Sequence, residues 1–118
     1  GSRRGEAVAM EYRYVKLETF APESHLGAVL AALRSVGAGR VGDGPYDSCA
    51  TTSQVTGHWR PLPGAKPFAG EPGQVASEPE VKIEVTIAAE LLDAAVAAVR
   101  AAHPYEEPVI YAWPLLVP

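Results

Sequence analysis

Six consecutive residues carry the densest set of reactive groups in the chain: His103-Pro104-Tyr105-Glu106-Glu107-Pro108. An imidazole beside carboxylates can bind a divalent metal ion or pass protons near neutral pH. The same six also read as a rigid turn, with prolines stiffening both ends, the tyrosine packing and the carboxylates capping or pairing. Neighbouring side chains alternate in extended backbone, so only one of Glu106 and Glu107 is expected to share a pocket with His103. His103 falls at the end of a helical pattern, where a protonated imidazole would suit the negative helix terminus.

Other groups are more scattered. Cys49 and His58 stand nine residues apart, which is no recognised zinc spacing, and there is no second cysteine. Several readings stay open for them: a soft-metal site with His103, a Cys–His catalytic pair, or a small buried thiol and an imidazole stacked beside Trp59. Among these, His103, Glu106 and Cys49 form the candidate metal set. Arg40, Arg60 and Lys66 flank a loop-rich stretch and either bind an anion across a subunit cleft or are solvated loop charges. Arg40, Arg60 and Tyr105 are the candidate ligand-binding residues. Gly37-Ala38-Gly39-Arg40-Val41-Gly42 matches G-x-G-x-x-G by letter. A dinucleotide site needs a strand before that motif and a helix after it, and the order here is reversed. The run is expected to be a helix stop followed by a turn.

These residues must be positioned by regular elements. Tyr12 to Phe20 reads as a strand with Val15, Leu17 and Thr19 on one side. Pro22 presets a helical turn, and Leu26, Val29, Leu30, Leu33 and Val36 recur at helical spacing until Gly37. A second strand is expected over Tyr46–Val55, continuing past Gly57 towards Leu62. Pro61, Pro63, Gly64, Pro67, Gly70, Pro72, Gly73 and Pro79 then mark a long excursion, the kind of loop that is often functional or mobile. Val81, Ile83, Val85 and Ile87 alternate with Lys82, Glu84 and Thr86, predicting a half-buried third strand. A second helix spans about Ala89–Ala102, and a fourth strand Pro108–Leu115. The order β-α-β-β-α-β predicts an α+β, ferredoxin-like fold: a four-stranded antiparallel sheet with two helices on one face. Strands one and three are central in that topology. Val109, Ile110, Tyr111, Ala112 and Trp113 make the fourth strand apolar on both sides, so a partner chain is expected to cover it.

Composition frames the remaining choices. The chain has 118 residues, 47% hydrophobic and 20% charged, with a net charge of −4, as suits one globular domain. Residues 1–10 carry no periodicity and are set aside as a tag or disordered leader, Gly1-Ser2 resembling a tag remnant, leaving 11–118 as one domain. There is no membrane-spanning run, and mild acidity disfavours nucleic acid. One cysteine suits a reducing, cytoplasmic location.

The blocks Gly39-Arg40-Val41-Gly42, Tyr46, Cys49, Thr56-Gly57-His58-Trp59-Arg60-Pro61, Pro67-Phe68-Ala69-Gly70, Val81-Lys82-Ile83-Glu84, His103 to Pro108 and Pro114-Leu115 come in a specific order. Together they resemble the Nif-three-like (YqfO-type) proteins over nearly all of residues 12–116. The resemblance is to the small domain inserted in the middle of the longer members, which itself looks like the PII and CutA proteins, both ferredoxin-like trimers. The longer proteins bear a dinuclear metal site and a GTP-cyclohydrolase-like assignment on two flanking lobes. This chain has neither lobe, so neither property is carried over. The family usually has a small hydroxyl residue at His58 and an Asp at Tyr111.

The resemblance therefore implies a stand-alone version of that insert. The expectation is a cytoplasmic homotrimer of PII/CutA type, a binding module more than an enzyme. It would hold a small ligand or divalent metal at subunit clefts, without nucleic acid or membrane. A metal-assisted hydrolase built on His103 and Glu106, and a purely structural interaction module, are the alternatives.

Overall fold

The computed structural model describes residues 12–118. The leader expected over residues 1–10 lies outside the described residues. Strand β1 spans Tyr14–Ala21 and buries Val15, Leu17 and Thr19 on its helix-facing side. The Thr19 hydroxyl donates to the Val109 carbonyl at 2.8 Å, which satisfies the polar group that burial would otherwise penalise. Pro22 then leads a single 3-10 turn, Glu23–His25, into helix α1, Leu26–Ser35. Val29 and Leu33, one turn apart, are its buried stripe.

The end of α1 shows why glycine is required after it. Gly37 has φ +86°, its N–H bonds the Arg34 carbonyl, and the Ala38 N–H reaches back to Leu33. That paired pattern is a Schellman stop. So the G-x-G-x-x-G run is a helix stop and turn, as its context predicts. Gly39 then donates to the Thr86 carbonyl and accepts from the Cys49 N–H, tying residues 39–49 to the sheet.

Strand β2 covers Thr51–Trp59, and β3 covers Ala76–Ala88. A 3-10 turn, Ala89–Leu91, opens helix α2, Leu92–Ala102, and β4 closes the fold at Ile110–Leu115. The antiparallel sheet has the order β2-β3-β1-β4, with β1 and β3 central as expected. The core lies between the sheet and the helices: Leu17, Ile83 and Ile87 from the sheet meet Val29, Leu33, Ala95 and Val99. At the far edge, β1 begins where β4 ends, with Tyr14 opposite Leu115.

Strands β1 and β4 begin two residues later than expected, at Tyr14 and Ile110, and two other boundaries differ more. Strand β2 begins at Thr51, because the Gly39–Cys49 bond holds the preceding segment off the ladder. Strand β3 begins at Ala76, so Pro79 lies inside a strand and the excursion shortens to residues 60–75. Pro79 is tolerated there because β1 pairs only with residues 81–88 of β3. Residues 76–80 have β2 on one side alone, and a missing N–H on the other costs no ladder bond. The β2–β3 hairpin therefore projects beyond the main sheet, along a molecule 46 Å in its longest dimension.

The face away from the helices carries a charged ladder. Lys16 pairs with Glu84 at 3.3 Å and Lys82 with Glu18 at 2.7 Å, alternating in sign across β1 and β3. Hydrogen bonding to Glu18 raises the Lys82 pKa above its ordinary value. Beside this ladder, Tyr111 and Trp113 of β4 stand exposed on the same face, opposite Glu18 and Lys16. No helix among the described residues is long and apolar enough to cross a membrane.

Candidate functional site

The excursion does not hang free. The Gly73 N–H bonds the Pro61 carbonyl at 2.7 Å and closes the base of the segment as a compact surface loop. The Trp59 indole N–H donates to the Ala69 carbonyl at 3.2 Å, and the Lys66 N–H donates to Glu106 Oε1 at 3.0 Å. Phe68 at the loop tip meets Tyr105 at a ring separation of 5.9 Å and His25 edge-on at 5.7 Å. Trp59 lies 6.4 Å from Tyr105. The loop thus folds back onto the 103–109 connection and encloses a cleft of about 640 Å³. Its aromatic walls come from Phe20, Trp59, Phe68, Tyr105 and Tyr111, and Arg60, Glu80, Glu106 and Glu107 also line it.

His103 anchors this arrangement from below. It is the C-cap of α2, only 7% exposed, and its ring packs 4.7 Å from that of Tyr105. Nδ1 accepts the Tyr105 N–H at 3.1 Å, so Nδ1 carries no proton, and Nε2–H donates to the Phe20 carbonyl. Burial lowers the His103 pKa below its ordinary 6.5, against smaller opposing effects from Phe20 and Glu80. The imidazolium expected at the helix end is therefore corrected to a neutral imidazole. Desolvation outweighs the helix terminus here.

Glu80 is the site residue that the sequence reading missed. It is 9% exposed, and its Oε2 accepts the Tyr105 hydroxyl at 2.7 Å. Burial first, and that bond second, push the Tyr105 pKa well above its usual range, so the phenol stays a donor. A Cβ on Gly57 would overlap Glu80 Oε1. The absent side chain at 57 is thus what lets the carboxylate lie across β2. The signal available in sequence was Glu80 continuing the polar set of Lys82 and Glu84 beside a glycine-interrupted neighbouring strand.

The remaining candidates divide. Tyr105, Arg60 and Glu106 come together in the cleft, with Glu107 also on its wall, so both carboxylates share it and neither bonds His103. Arg40 lies elsewhere, its Nε donating to the Gly44 carbonyl at 3.2 Å. Cys49 is exposed, not a buried apolar filler. It sits beside Gly39, which bonds Thr86, whereas His103 reaches Phe20 opposite Lys82. Thr86 and Lys82 are four residues apart on β3, roughly 13 Å at a strand's rise. His58 is exposed on β2 between Gly57 and Trp59 and also lines the cleft.

A metal held by His103, Glu106 and Cys49 does not fit this geometry. Both His103 nitrogens are committed to backbone groups, and Cys49 is remote. Among the described residues, no group of three or more His, Cys, Asp or Glu side chains is placed to hold a metal ion.

No protein-family model matches the chain. The GTP cyclohydrolase 1 type 2 homolog of Bacillus subtilis is 39% identical over 92 residues, which cover 78% of this chain and 24% of that protein. The crystal structure of a Bacillus cereus protein related to NIF3 superposes with TM-score 0.74 at 35% identity, over 88% of this chain and 26% of that one. CutA1 from Shewanella sp. SIB1 superposes with TM-score 0.65 at 16% identity, over 91% and 85% of the two chains, a likeness of fold. The chain spans about a quarter of the length of the curated relatives it matches.

Proposed function

Because this chain is a homologue of the CutA-like portion of the Nif-three-like proteins, we propose that it is a ligand-binding module that works as a homotrimer, with the loop-closed cleft as its binding site. One observation carries the reading: residues 60–75 fold back through Phe68 and the Lys66 N–H to roof an aromatic cleft against Tyr105 and Glu106. A cavity of this size with few polar groups is the ordinary form of a small-molecule site. The exposed Tyr111 and Trp113 on β4 support assembly, since a contiguous apolar face on an edge strand is stabilised by cover. Tyr111 belongs both to that face and to the cleft, which supports a cleft beside the boundary between subunits. The exposed thiol of Cys49 is at home in a reducing, cytoplasmic setting.

Two measurements test the two parts. Native mass spectrometry at micromolar concentration should give three subunits, and a single-subunit mass would remove the trimer. Nile red, an uncharged polarity-sensitive dye, should brighten on binding one site per chain. Phe68→Ser, at an exposed loop-tip position, should cut that enhancement at least fivefold, and an unchanged enhancement would move the ligand elsewhere.

A further inference from the structure

The chemical character of the cleft is set by a charge without a counter-charge. Glu80 is nine-tenths buried, yet among the described residues the only side chain that bonds it is a neutral phenol, through Oε2. Among the described residues, Oε1 receives no hydrogen bond, and neither of their two ion pairs includes Glu80. Oε1 is the open oxygen: no buried side-chain oxygen or nitrogen among the described residues lacks a hydrogen-bond partner, so this one reaches the solvent of the cleft and is free to take a cationic donor. Lys16 and Lys82, on the same face of the sheet, are already spent on Glu84 and Glu18. Arg60 lines the cleft but makes no ion pair with Glu80. The carboxylate is also held in place: Gly57 leaves room for it and Tyr105 fixes one oxygen.

The rings around it complete the pattern. Trp59 and Phe68 flank Tyr105 at 6.4 and 5.9 Å, so three aromatic rings converge on the cleft that Glu80 lines. Aromatic faces attract cations, most strongly where water is excluded. With Glu106 and Glu107 on the same wall, the lining carboxylates outnumber Arg60, and the field in the cleft favours positive charge.

We propose that the cleft takes an organic cation, a protonated or quaternary amine carried on a flat apolar body. The ammonium pairs with Glu80 Oε1 and the body lies against the Trp59, Tyr105 and Phe68 rings that line the cleft. This rests on the ligand-cleft reading above, and three probes of one shape separate the two. Tryptamine, tryptophol and indole-3-propionate share the indole and carry a positive, zero and negative charge. Titrations followed by calorimetry, with the Trp59 indole N–H resonance as the site marker, should show tryptamine binding at least tenfold tighter than either analogue. Glu80→Gln keeps an acceptor for Tyr105 and should lose most of that preference while still binding tryptophol. Equal or tighter binding of tryptophol or indole-3-propionate, or an unchanged preference in Glu80→Gln, overturns the cation assignment and leaves the cleft reading standing. Failure of all three to move the Trp59 resonance overturns both.

Discussion

Replacing His103 with Leu is expected to lower the stability of the fold by about 2–4 kcal/mol and to abolish its pH dependence near neutrality. The substitution removes a buried donor to the Phe20 carbonyl and a buried acceptor for the Tyr105 N–H. Each partner is left to find another bond or go without, and an unmet buried polar group costs roughly 1–3 kcal/mol. The sign of the pH effect follows from the direction of the shift. The folded state holds the His103 pKa below the ordinary 6.5, so the unfolded chain takes up the proton first as pH falls. Stability is thus fully present above about pH 6.5 and declines as pH drops through that value. Urea unfolding of the native protein between pH 5 and 8 should show this decline, and His103→Leu should be flat across the same window. His103→Gln can offer both a donor and an acceptor, so part of the stability should return without the pH dependence. A native profile that is level, or one that rises towards acid, would contradict the neutral-imidazole assignment.

Gly39→Ala should be at least as damaging, at about 2–4 kcal/mol, and for a different reason. Gly39 has φ +89°, and an added Cβ would stand 2.5 Å from the Cys49 carbonyl oxygen and 2.6 Å from its nitrogen. Those are backbone atoms, so relief requires breaking the bond by which Cys49 N–H meets the Gly39 carbonyl. Gly37→Ala supplies the comparison. Its φ of +86° is as unfavourable, yet the nearest atom to a new Cβ is the flexible Leu91 Cδ1 at 3.5 Å. There the cost should be the backbone penalty alone, about 1–2 kcal/mol. Equal urea midpoints for the two variants would show that the Gly39–Cys49 contact does not constrain the segment.

The fold was legible wherever burial repeats at a fixed period. Val81 to Ile87 alternates cleanly because one face meets the helices, and Leu26 to Val36 marks one side of α1. The hairpin arm was not legible, since Ala76 to Glu80 pairs with β2 outside the main sheet and its outward residues have no periodic burial to report. With Pro79 in the run, its composition is that of a turn. The site divides along the same line. Tyr105 and Glu106 stand out by type, but Glu80 becomes a site residue only because a tyrosine 25 positions later reaches it. The charge state of His103 likewise depends on its burial beside β1, whose Phe20 carbonyl, 83 positions away, its ring bonds. Local spacing holds no record of either contact. Cys49 illustrates the converse, a reactive type that the topology sets apart from the others.

The pairing of Tyr14 with Leu115 has a bearing on how such a unit can travel between proteins. The outermost described strands in sequence are immediate neighbours running in opposite directions, so a polypeptide entering by one leaves by the other about 5 Å away. A host fold needs to part only as far as the two legs of a hairpin to carry the whole unit, and its own strands or helices can resume on the same side. The same cassette can thus be grafted into a much larger architecture, in keeping with relatives in which it accounts for about a quarter of the length.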